Sequence, residues 1–110
     1  MALCAMLLFA SHQVQAEFVA VPALKTRVTD LTQTLTQAQL GQLETKLTTF
    51  EQQKGSQIAV LIVPTTAPED IAQFSIRVVD SWQLGRAKQD DGILMLVAKN
   101  DRKMRIEVGY

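Results

Sequence analysis

The sequence has one cysteine, Cys4, and one histidine, His12, and both lie in its first sixteen residues. The rest of the chain therefore has no thiol for a disulfide and cannot build a Ser-His-Asp triad or a Cys-His pair. A zinc site of cysteine and histidine ligands is excluded there too, and we expect no zinc, haem or nucleotide cofactor. The remaining polar side chains favour hard cations as metals, namely calcium, magnesium or manganese.

The sequence also has no excess of charge of either sign, because its 11 lysines and arginines balance 11 aspartates and glutamates. The basic residues are scattered, so no strong positive field attracts nucleic acid, and we exclude it as a partner. Aromatic residues make up only 5% of the sequence, which predicts an aliphatic core. A length of 110 residues is typical of one domain.

Residues 1–16, "MALCAMLLFASHQVQA", contain no lysine, arginine, aspartate or glutamate. The segment is apolar through Ala10, then polar, and ends with Val14 and Ala16 at positions −3 and −1 before Glu17. This pattern predicts a secretory signal peptide, although the usual positive start is missing. A partly buried N-terminal helix is the alternative. We expect the mature protein in the periplasm, in the cell envelope or outside the cell.

Two amphipathic helices are predicted. The first begins at a capping box of Thr36 and Gln39 and ends at Gly55. The second begins at a capping box of Thr66 and Glu69, with Pro68 in its first turn, and ends at Gly85. Their apolar stripes are Leu40, Leu43, Leu47 and Phe50 in the first helix, and Ile71, Phe74, Val78 and Trp82 in the second. We expect both stripes to pack on the core. The first helix either covers the opposite face of the sheet or packs beside the second helix.

Three strands are predicted in the second half of the sequence. Residues 58–63 and 92–98 are continuous apolar runs, typical of central strands covered on both faces. Residues 103–110 alternate, with Met104, Ile106, Val108 and Tyr110 pointing inward. Residues 17–35 are predicted as an extended lead-in, with a short strand at 18–21 and irregular structure after Pro22.

The order of these elements predicts an α/β domain over residues 36–110 with a small mixed sheet. A strand, a helix and a strand make a right-handed crossover with two parallel strands, and an antiparallel hairpin follows. Because the last strand ends at Tyr110 without a cap or a tail, we expect the C-terminal part of the domain to be missing.

Four motifs identify a family. They are "GSQIAVLIVP", "WQLGR", "DDG" before a strand, and "RKMRIEVGY" at the end. From about Val21 onward the sequence resembles the TPM domain family, the thylakoid-acid-phosphatase-like domain of many exported bacterial proteins. It departs from the usual pattern at Ala67 and Pro68, where a glycine-containing loop is expected. The resemblance implies a Rossmann-like α/β/α sandwich at the outer face of a membrane.

The resemblance implies more than one function. Plant members are reported as acid phosphatases in photosystem II repair, some bacterial members bind calcium, and an animal member is a receptor accessory protein. We therefore expect a calcium-binding accessory or interaction module in membrane-protein assembly or repair, with a membrane protein or complex as partner, held to the membrane through an absent C-terminal segment. The alternatives are a metal-assisted acid phosphatase for a small phosphorylated substrate, and a structural domain without a ligand.

The candidate site residues are acidic and basic. Asp90 and Asp91 precede Gly92 and can supply oxygen ligands to a divalent cation, and with the resemblance Asp30 of "RVTD" is the expected third ligand. Arg86 and Lys88 are candidate anion contacts for a phosphate. The alternative is that these side chains are a solvated loop.

The predicted topology places a second candidate location at the other end of the sheet. Open α/β sheets bind ligands at the carboxyl ends of their parallel strands, which here are residues 64–66 and 99–101. Asp90 and Asp91 lie at the opposite end, where the strand begins. Asp101 is predicted as a turn residue.

Overall fold

A computed structural model describes residues 17–85 and 91–109 of the chain. Along the sequence the elements are β1 (Val28–Asp30), α1 (Gln37–Lys54), β2 (Ser56–Val63), α2 (Ile71–Trp82), β3 (Asp91–Ala98) and β4 (Lys103–Gly109). One sheet holds all four strands in the order β1-β2-β3-β4, and β1, β2 and β3 are parallel while β4 is antiparallel to β3. The predicted α/β fold with a small mixed sheet is confirmed.

The boundaries of α1 follow from its capping residues. The Thr36 hydroxyl accepts a hydrogen bond from Gln39 N at 3.1 Å, and the Gln39 side chain accepts one from Thr36 N at 2.9 Å. Gly55 ends the helix in the left-handed conformation, with φ of 81°. The capping box and the glycine stop predicted for α1 are therefore confirmed.

The caps predicted for the second helix are wrong, because α2 begins after Asp70, whose side chain accepts a hydrogen bond from Ala72 N, and has Gln83 rather than Gly85 as its C-terminal cap.

Helices α1 and α2 lie on opposite faces of the sheet. The α2 face is the main core, in which the buried residues are Ala59, Leu61, Val63, Phe74, Val78, Val79, Trp82, Leu84, Leu94, Leu96 and Ala98. On the opposite, α1 face, buried Val28, Val60 and Ile62 pack against half-buried Leu35, Leu40, Leu43 and Leu47, and against Met95 and Val97 of β3. The first helix therefore covers the second face, which was one of the two predicted arrangements.

This arrangement has a consequence for the handedness of the crossovers. The chain moves in one direction across the sheet, from β1 to β2 to β3, but its two crossover helices lie on opposite faces. The two crossovers therefore have opposite hands, and one of them is left-handed. The strong preference for right-handed crossovers holds for only one of the pair.

Residues 17–25 form a strap over α2 rather than a strand. Arg77 Nη2 donates a hydrogen bond to the Val19 carbonyl oxygen, and Trp82 Nε1 donates one to the Pro22 carbonyl oxygen, both at 2.8 Å. Val19, Val21 and Leu24 pack against the main core. The predicted short strand at 18–21 is wrong, because the α2 side chains satisfy these carbonyl groups.

Strand β1 lies in the segment that was predicted to be irregular, and that prediction is wrong at Val28–Asp30. Val60 N donates a hydrogen bond to the Arg27 carbonyl oxygen at 2.7 Å, and Leu31 N donates one to the Ile62 carbonyl oxygen at 2.9 Å. A strand of three residues is too short to show alternation, so only its pairing with β2 defines it.

The orientation of β4 is the reverse of the prediction. Met104, Ile106 and Val108 were expected to point inward, but they are 58%, 55% and 41% exposed. Arg105 and Glu107 point toward α2 instead, and the Ser75 hydroxyl lies 2.9 Å from Glu107 Oε1. The reason is that α1 packs over β1 and β2, and no other described helix lies over β3 and β4 on this face. Tyr110 lies outside the described residues.

The predicted place of Phe50 in the core is also wrong, because its side chain is 40% exposed.

No helix in the described part of the chain is both long and apolar enough to cross a membrane.

Candidate functional site

The carboxyl ends of β2 and β3 are joined by Asp101. The Thr65 hydroxyl lies 2.8 Å from both carboxylate oxygens of Asp101, and Thr66 N donates a hydrogen bond to Oδ2 at 3.1 Å. Asp101 lies in the hairpin turn between β3 and β4, as predicted for a turn residue. It also holds the β2–α2 loop, which its place in the sequence could not indicate.

A pocket of about 510 Å³ opens beside Asp101, at the N-terminal end of α2. It is lined by Thr66, Ala67, Pro68, Glu69, Asp70, Ile71, Asp101 and Lys103, and the Ala67–Pro68 peptide bond is cis. This is the edge at which open α/β sheets bind ligands. Sequence reasoning identified the edge but did not include Glu69, Asp70 or Lys103, although the end of β2 is the signal that leads to the first two.

The acidic side chains of this edge pocket form hydrogen bonds and ion pairs with other residues of the domain. Glu69 is 7% exposed and pairs with Arg77, whose Nη2 donates to Oε1 at 2.8 Å. The hydrogen bond that Arg77 donates to the Glu69 carboxylate raises the pKa of Arg77 above its usual range. Asp70 caps α2 by accepting a hydrogen bond from Ala72 N at 3.4 Å. Within residues 17–85 and 91–109, no three carboxylate, histidine or cysteine side chains are grouped to hold a metal ion.

Asp30 stabilises the turn after β1. Its carboxylate accepts hydrogen bonds from Thr32 N at 2.9 Å, from the Thr32 hydroxyl at 2.7 Å and from Leu35 N at 2.8 Å. Burial by itself raises the pKa of Asp30, but these hydrogen bonds and one from the Thr34 backbone outweigh it, so the pKa lies below its ordinary value. The Asp30 carboxylate is therefore charged at neutral pH, and it accepts hydrogen bonds that hold the turn after β1.

The sheet register separates Asp30 from Asp91. Asp30 is opposite Ile62 near the end of β2, whereas Asp91 is opposite Ser56 at its start. Six residues of strand at about 3.3 Å each put about 20 Å between them, too far for one ion to be bound by both. Asp91 is exposed at the beginning of β3, while Asp90, Arg86 and Lys88 lie outside the described residues.

The open half of the α1 face forms an apolar surface that we call the shelf. Its floor consists of Ile93, Met95 and Val97 from β3, paired in register with Val108, Ile106 and Met104 from β4. One side of the floor is bounded by α1, where Leu43 and Phe50 form the wall.

The position of the wall follows from the helical spacing of α1. Glu44 and Glu51 contact Arg27 at the β1 side of the helix, whereas Leu40 and Leu47 face the sheet. Leu43 and Phe50 each precede one of those glutamates by one residue, about 100° around the helix. By this spacing they lie beyond the leucine stripe, on the side of α1 that is nearer to β3.

A family model described as "TPM domain" matches residues 28–110. The chain belongs to the TPM domain family. The match includes all four strands and both helices, so the resemblance found in the sequence motifs is confirmed. No curated protein matches the chain.

The structure of this TPM domain explains the glycine of the "DDG" motif. A Cβ atom on Gly92 would collide with the backbone of Leu84 and Gly85, because the turn that follows α2 packs directly against the start of β3. Gly85 has a φ of 77°, and a Cβ atom added to it would collide with the Gly109 carbonyl group. Gly92 therefore has a packing role that does not depend on the neighbouring aspartates.

Proposed function

We propose that this TPM domain is an exported, membrane-associated interaction module that helps a membrane protein to assemble or to be repaired. The observation that carries the proposal is the shelf. Its floor has three side chains of β4 that are about half exposed, next to three half-buried side chains of β3. Contiguous apolar surface on a soluble domain is typical of a binding surface.

The distribution of residues on β4 supports this reading. The strand places Arg105 and Glu107 toward α2, where Glu107 is reached by both Arg105 Nε at 3.0 Å and the buried Ser75 hydroxyl. It places its apolar side chains on the side that the described residues leave open. An apolar side of a strand that stays uncovered beside a second apolar strand makes a contiguous patch, which is typical of a binding surface.

We also propose that Asp90 and Asp91 bind calcium, or magnesium or manganese, without Asp30. Two adjacent carboxylates supply the oxygen ligands that these cations prefer. Asp91 begins the strand that carries half of the shelf floor, so an ion there is connected to the binding surface through β3 alone.

The interaction is tested with a photoreactive amino acid at position 104, on the shelf, and at position 76, on the outer surface of α2, where Ile76 is also exposed. We expect cross-links to a membrane protein of the host from position 104 and not from position 76, stronger with calcium than with a chelator. Equal cross-linking at the two positions contradicts the proposal. Calcium dependence that persists in the Asp90→Asn/Asp91→Asn variant contradicts the cation site alone.

The edge pocket favours a second candidate function, a metal-assisted acid phosphatase acting on a small phosphorylated substrate. Lys103 and the N-terminus of α2 can attract a phosphate there, and Asp101 lies beside them. The predicted anion contacts Arg86 and Lys88 precede β3 in the sequence and lie outside the described residues. Hydrolysis of p-nitrophenyl phosphate at acidic pH that is lost in Lys103→Ala supports the edge pocket, and loss only in Arg86→Ala/Lys88→Ala supports the loop before β3.

A further inference from the structure

We propose that two copies of this chain pair edge to edge through β4, antiparallel and centred on Ile106, so that their two sheets continue into one. The pairing uses only the backbone edge of β4 and does not depend on whether the α1 face is covered. It is independent of the proposed function. The features that carry it are the open edge of β4, the closed edge of β1 and the order of the charges along β4.

The outer edge of β4 has hydrogen-bonding groups at alternate residues. Lys99 N donates a hydrogen bond to the Val63 carbonyl oxygen, so odd-numbered residues of β3 face β2 and even-numbered ones face β4. By the register of the hairpin, the backbone groups of Met104, Ile106 and Val108 then point away from the sheet. No strand in the described part of the chain lies beyond β4, so within that part these groups are available for pairing.

The opposite edge of the sheet is closed by side chains. Strand β1 has only 3 residues. Val28 N donates a hydrogen bond to the Glu44 carboxylate at 3.1 Å, and the Thr26 hydroxyl donates one to the Val28 carbonyl oxygen at 2.9 Å. Short strands and covering groups of this kind protect a sheet edge from pairing with another chain. Strand β4 lacks them, since it has 7 residues, contains no proline and pairs with β3 without a bulge.

The charged residues of β4 are symmetric about Ile106. When two β4 strands pair antiparallel with Ile106 opposite Ile106, Arg105 of each copy lies opposite Glu107 of the other. These are non-hydrogen-bonded positions, at which side chains of the two strands are closest, and opposite charges there stabilise the pair. On the other side of the sheet Met104 lies opposite Val108, so apolar side chains also meet apolar ones.

The same charges disfavour the neighbouring registers. The smallest slip that keeps the outer backbone groups in hydrogen-bonding positions is two residues. A slip in one direction places Arg105 opposite Arg105, and a slip in the other places Glu107 opposite Glu107. Like charges directly opposite each other are destabilising. Of these three registers, only the one centred on Ile106 pairs opposite charges, so the edge is complementary to a second copy of itself.

Arg105 and Glu107 have atoms available for the second copy. Within one chain, Arg105 Nε donates a hydrogen bond to Glu107 Oε1 at 3.0 Å, and the Ser75 hydroxyl lies 2.9 Å from the same oxygen. Among the described residues, Glu107 Oε2 and the two terminal nitrogens of Arg105 form no hydrogen bond. The Arg105 and Glu107 side chains are 41% and 20% exposed. Pairing of two copies therefore joins four side chains in a ring of alternating charge.

The first test measures self-association of the full-length protein by sedimentation equilibrium. We expect a dimer whose population rises with concentration. Arg105→Glu and Glu107→Arg each place like charges opposite one another, so each should weaken association at least tenfold. An equimolar mixture of the two variants pairs opposite charges again and should recover dimers with one chain of each. Lys103→Glu is the matched control, because Lys103 lies opposite Gly109 and its reversal should leave association unchanged.

A second pair of variants tests the backbone edge. The N–H group of Ile106 points away from β3, so Ile106→Pro removes a donor of the outer edge and keeps the ladder between β3 and β4. It should abolish the dimer, with circular dichroism showing that the domain remains folded. Ile106→Thr keeps both the N–H group and a β-branched side chain, and should retain the dimer.

Engineered cysteines report the register. In a Cys4→Ser background, Ile106→Cys should form a disulfide between two copies, because directly opposite hydrogen-bonded residues have Cα atoms about 5.5 Å apart. Met104→Cys should form none by itself, but it should cross-link with Val108→Cys when the two variants are mixed.

Three results would overturn the proposal. They are a monomer at every concentration up to millimolar, a dimer that survives Ile106→Pro or both single charge reversals, and a dimer of the 110-residue chain that is absent from the full-length protein. The last result would show that a later segment occupies the edge of β4. The proposed function fails separately, because its photo-cross-links join the chain to a membrane protein, whereas the products expected here contain two copies of the chain.

Discussion

The two faces of the sheet differ in how completely they are covered. On the α2 face eleven buried residues form one continuous core, and the strap of residues 17–25 closes its outer side. Among the described residues of the α1 face, only Val28, Val60 and Ile62 are buried, and every leucine of α1 keeps some exposure. The difference teaches that, among the residues that the structure describes, the α2 face carries most of the packed core, while half of the α1 face carries exposed apolar side chains.

The sharpest test of this division compares two phenylalanines. Phe74 is fully buried on the α2 face, whereas Phe50 on α1 is 40% exposed. We expect Phe74→Ala to lower the free energy of unfolding by about 3–5 kcal/mol and Phe50→Ala by less than about 1 kcal/mol, because only the first leaves a cavity in a packed core. Urea denaturation measures both. Equal losses would show that the α1 face is as tightly packed as the α2 face.

The second prediction concerns how α1 is attached to the sheet. Glu44 accepts hydrogen bonds from the backbone N–H groups of Arg27 and Val28 at 2.8 and 3.1 Å and pairs with the Arg27 guanidinium at 3.2 Å. Glu44→Ala leaves two backbone donors without their partner, so we expect a loss of about 1–3 kcal/mol in the free energy of unfolding.

Glu44→Gln is the matched control for this attachment. Its amide oxygen can still accept the backbone hydrogen bonds, so the loss should be smaller and should fall further in high salt, which screens the ion pair in the wild-type protein. If Glu44→Gln and Glu44→Ala are equally destabilised, charge rather than backbone hydrogen bonding holds α1 to β1.

The sequence allows prediction of the elements that are specified locally. The capping box at Thr36 and the stop at Gly55 define α1, and unbroken apolar runs define β2 and β3, because neighbouring residues carry all of that information. Strand β1 could not be predicted, since three residues have no period and depend on pairing with Val60 and Ile62. The open half of the α1 face could not be predicted either. Alternation on β4 shows that two sides differ but not which side a helix covers.

The candidate site was predictable only in part. The rule that ligands bind at the carboxyl ends of parallel strands leads to the edge pocket, and Asp101 lies there. Asp30 and Asp91 were expected to lie close together because both belong to family motifs. A sequence motif does not indicate how far apart its residues lie from those of another motif in the fold. Only the register of both strands against β2 shows that they lie at opposite ends of the sheet.

A third prediction uses the pH dependence of Asp30. Its pKa is lower in the folded chain than its ordinary value, so the folded state is stabilised at pH values above that ordinary value, and the stabilisation is lost as the pH falls through the lower, folded pKa. Asp30→Asn should therefore cost about 1 kcal/mol near neutral pH and have a smaller effect in acid. Thermal melting from pH 7 to pH 3 checks this, with Asp91→Asn as the exposed control. A constant difference between wild type and Asp30→Asn across this range would contradict the assignment.

The smallest expected change in the free energy of unfolding is for a substitution on the shelf itself. It is informative because a small change shows that the side chain is not packed within this chain. Ile106 is 55% exposed at the centre of the floor, so Ile106→Lys removes little buried area and should change the free energy of unfolding by less than about 0.5 kcal/mol. The same substitution should reduce binding of an apolar dye such as ANS. Buried Leu94 lies diagonally across the β3–β4 ladder on the opposite face, and Leu94→Lys should unfold the domain. A large loss of stability in Ile106→Lys would mean that the shelf is already covered within this chain, and the surface for a partner would then have to be sought elsewhere.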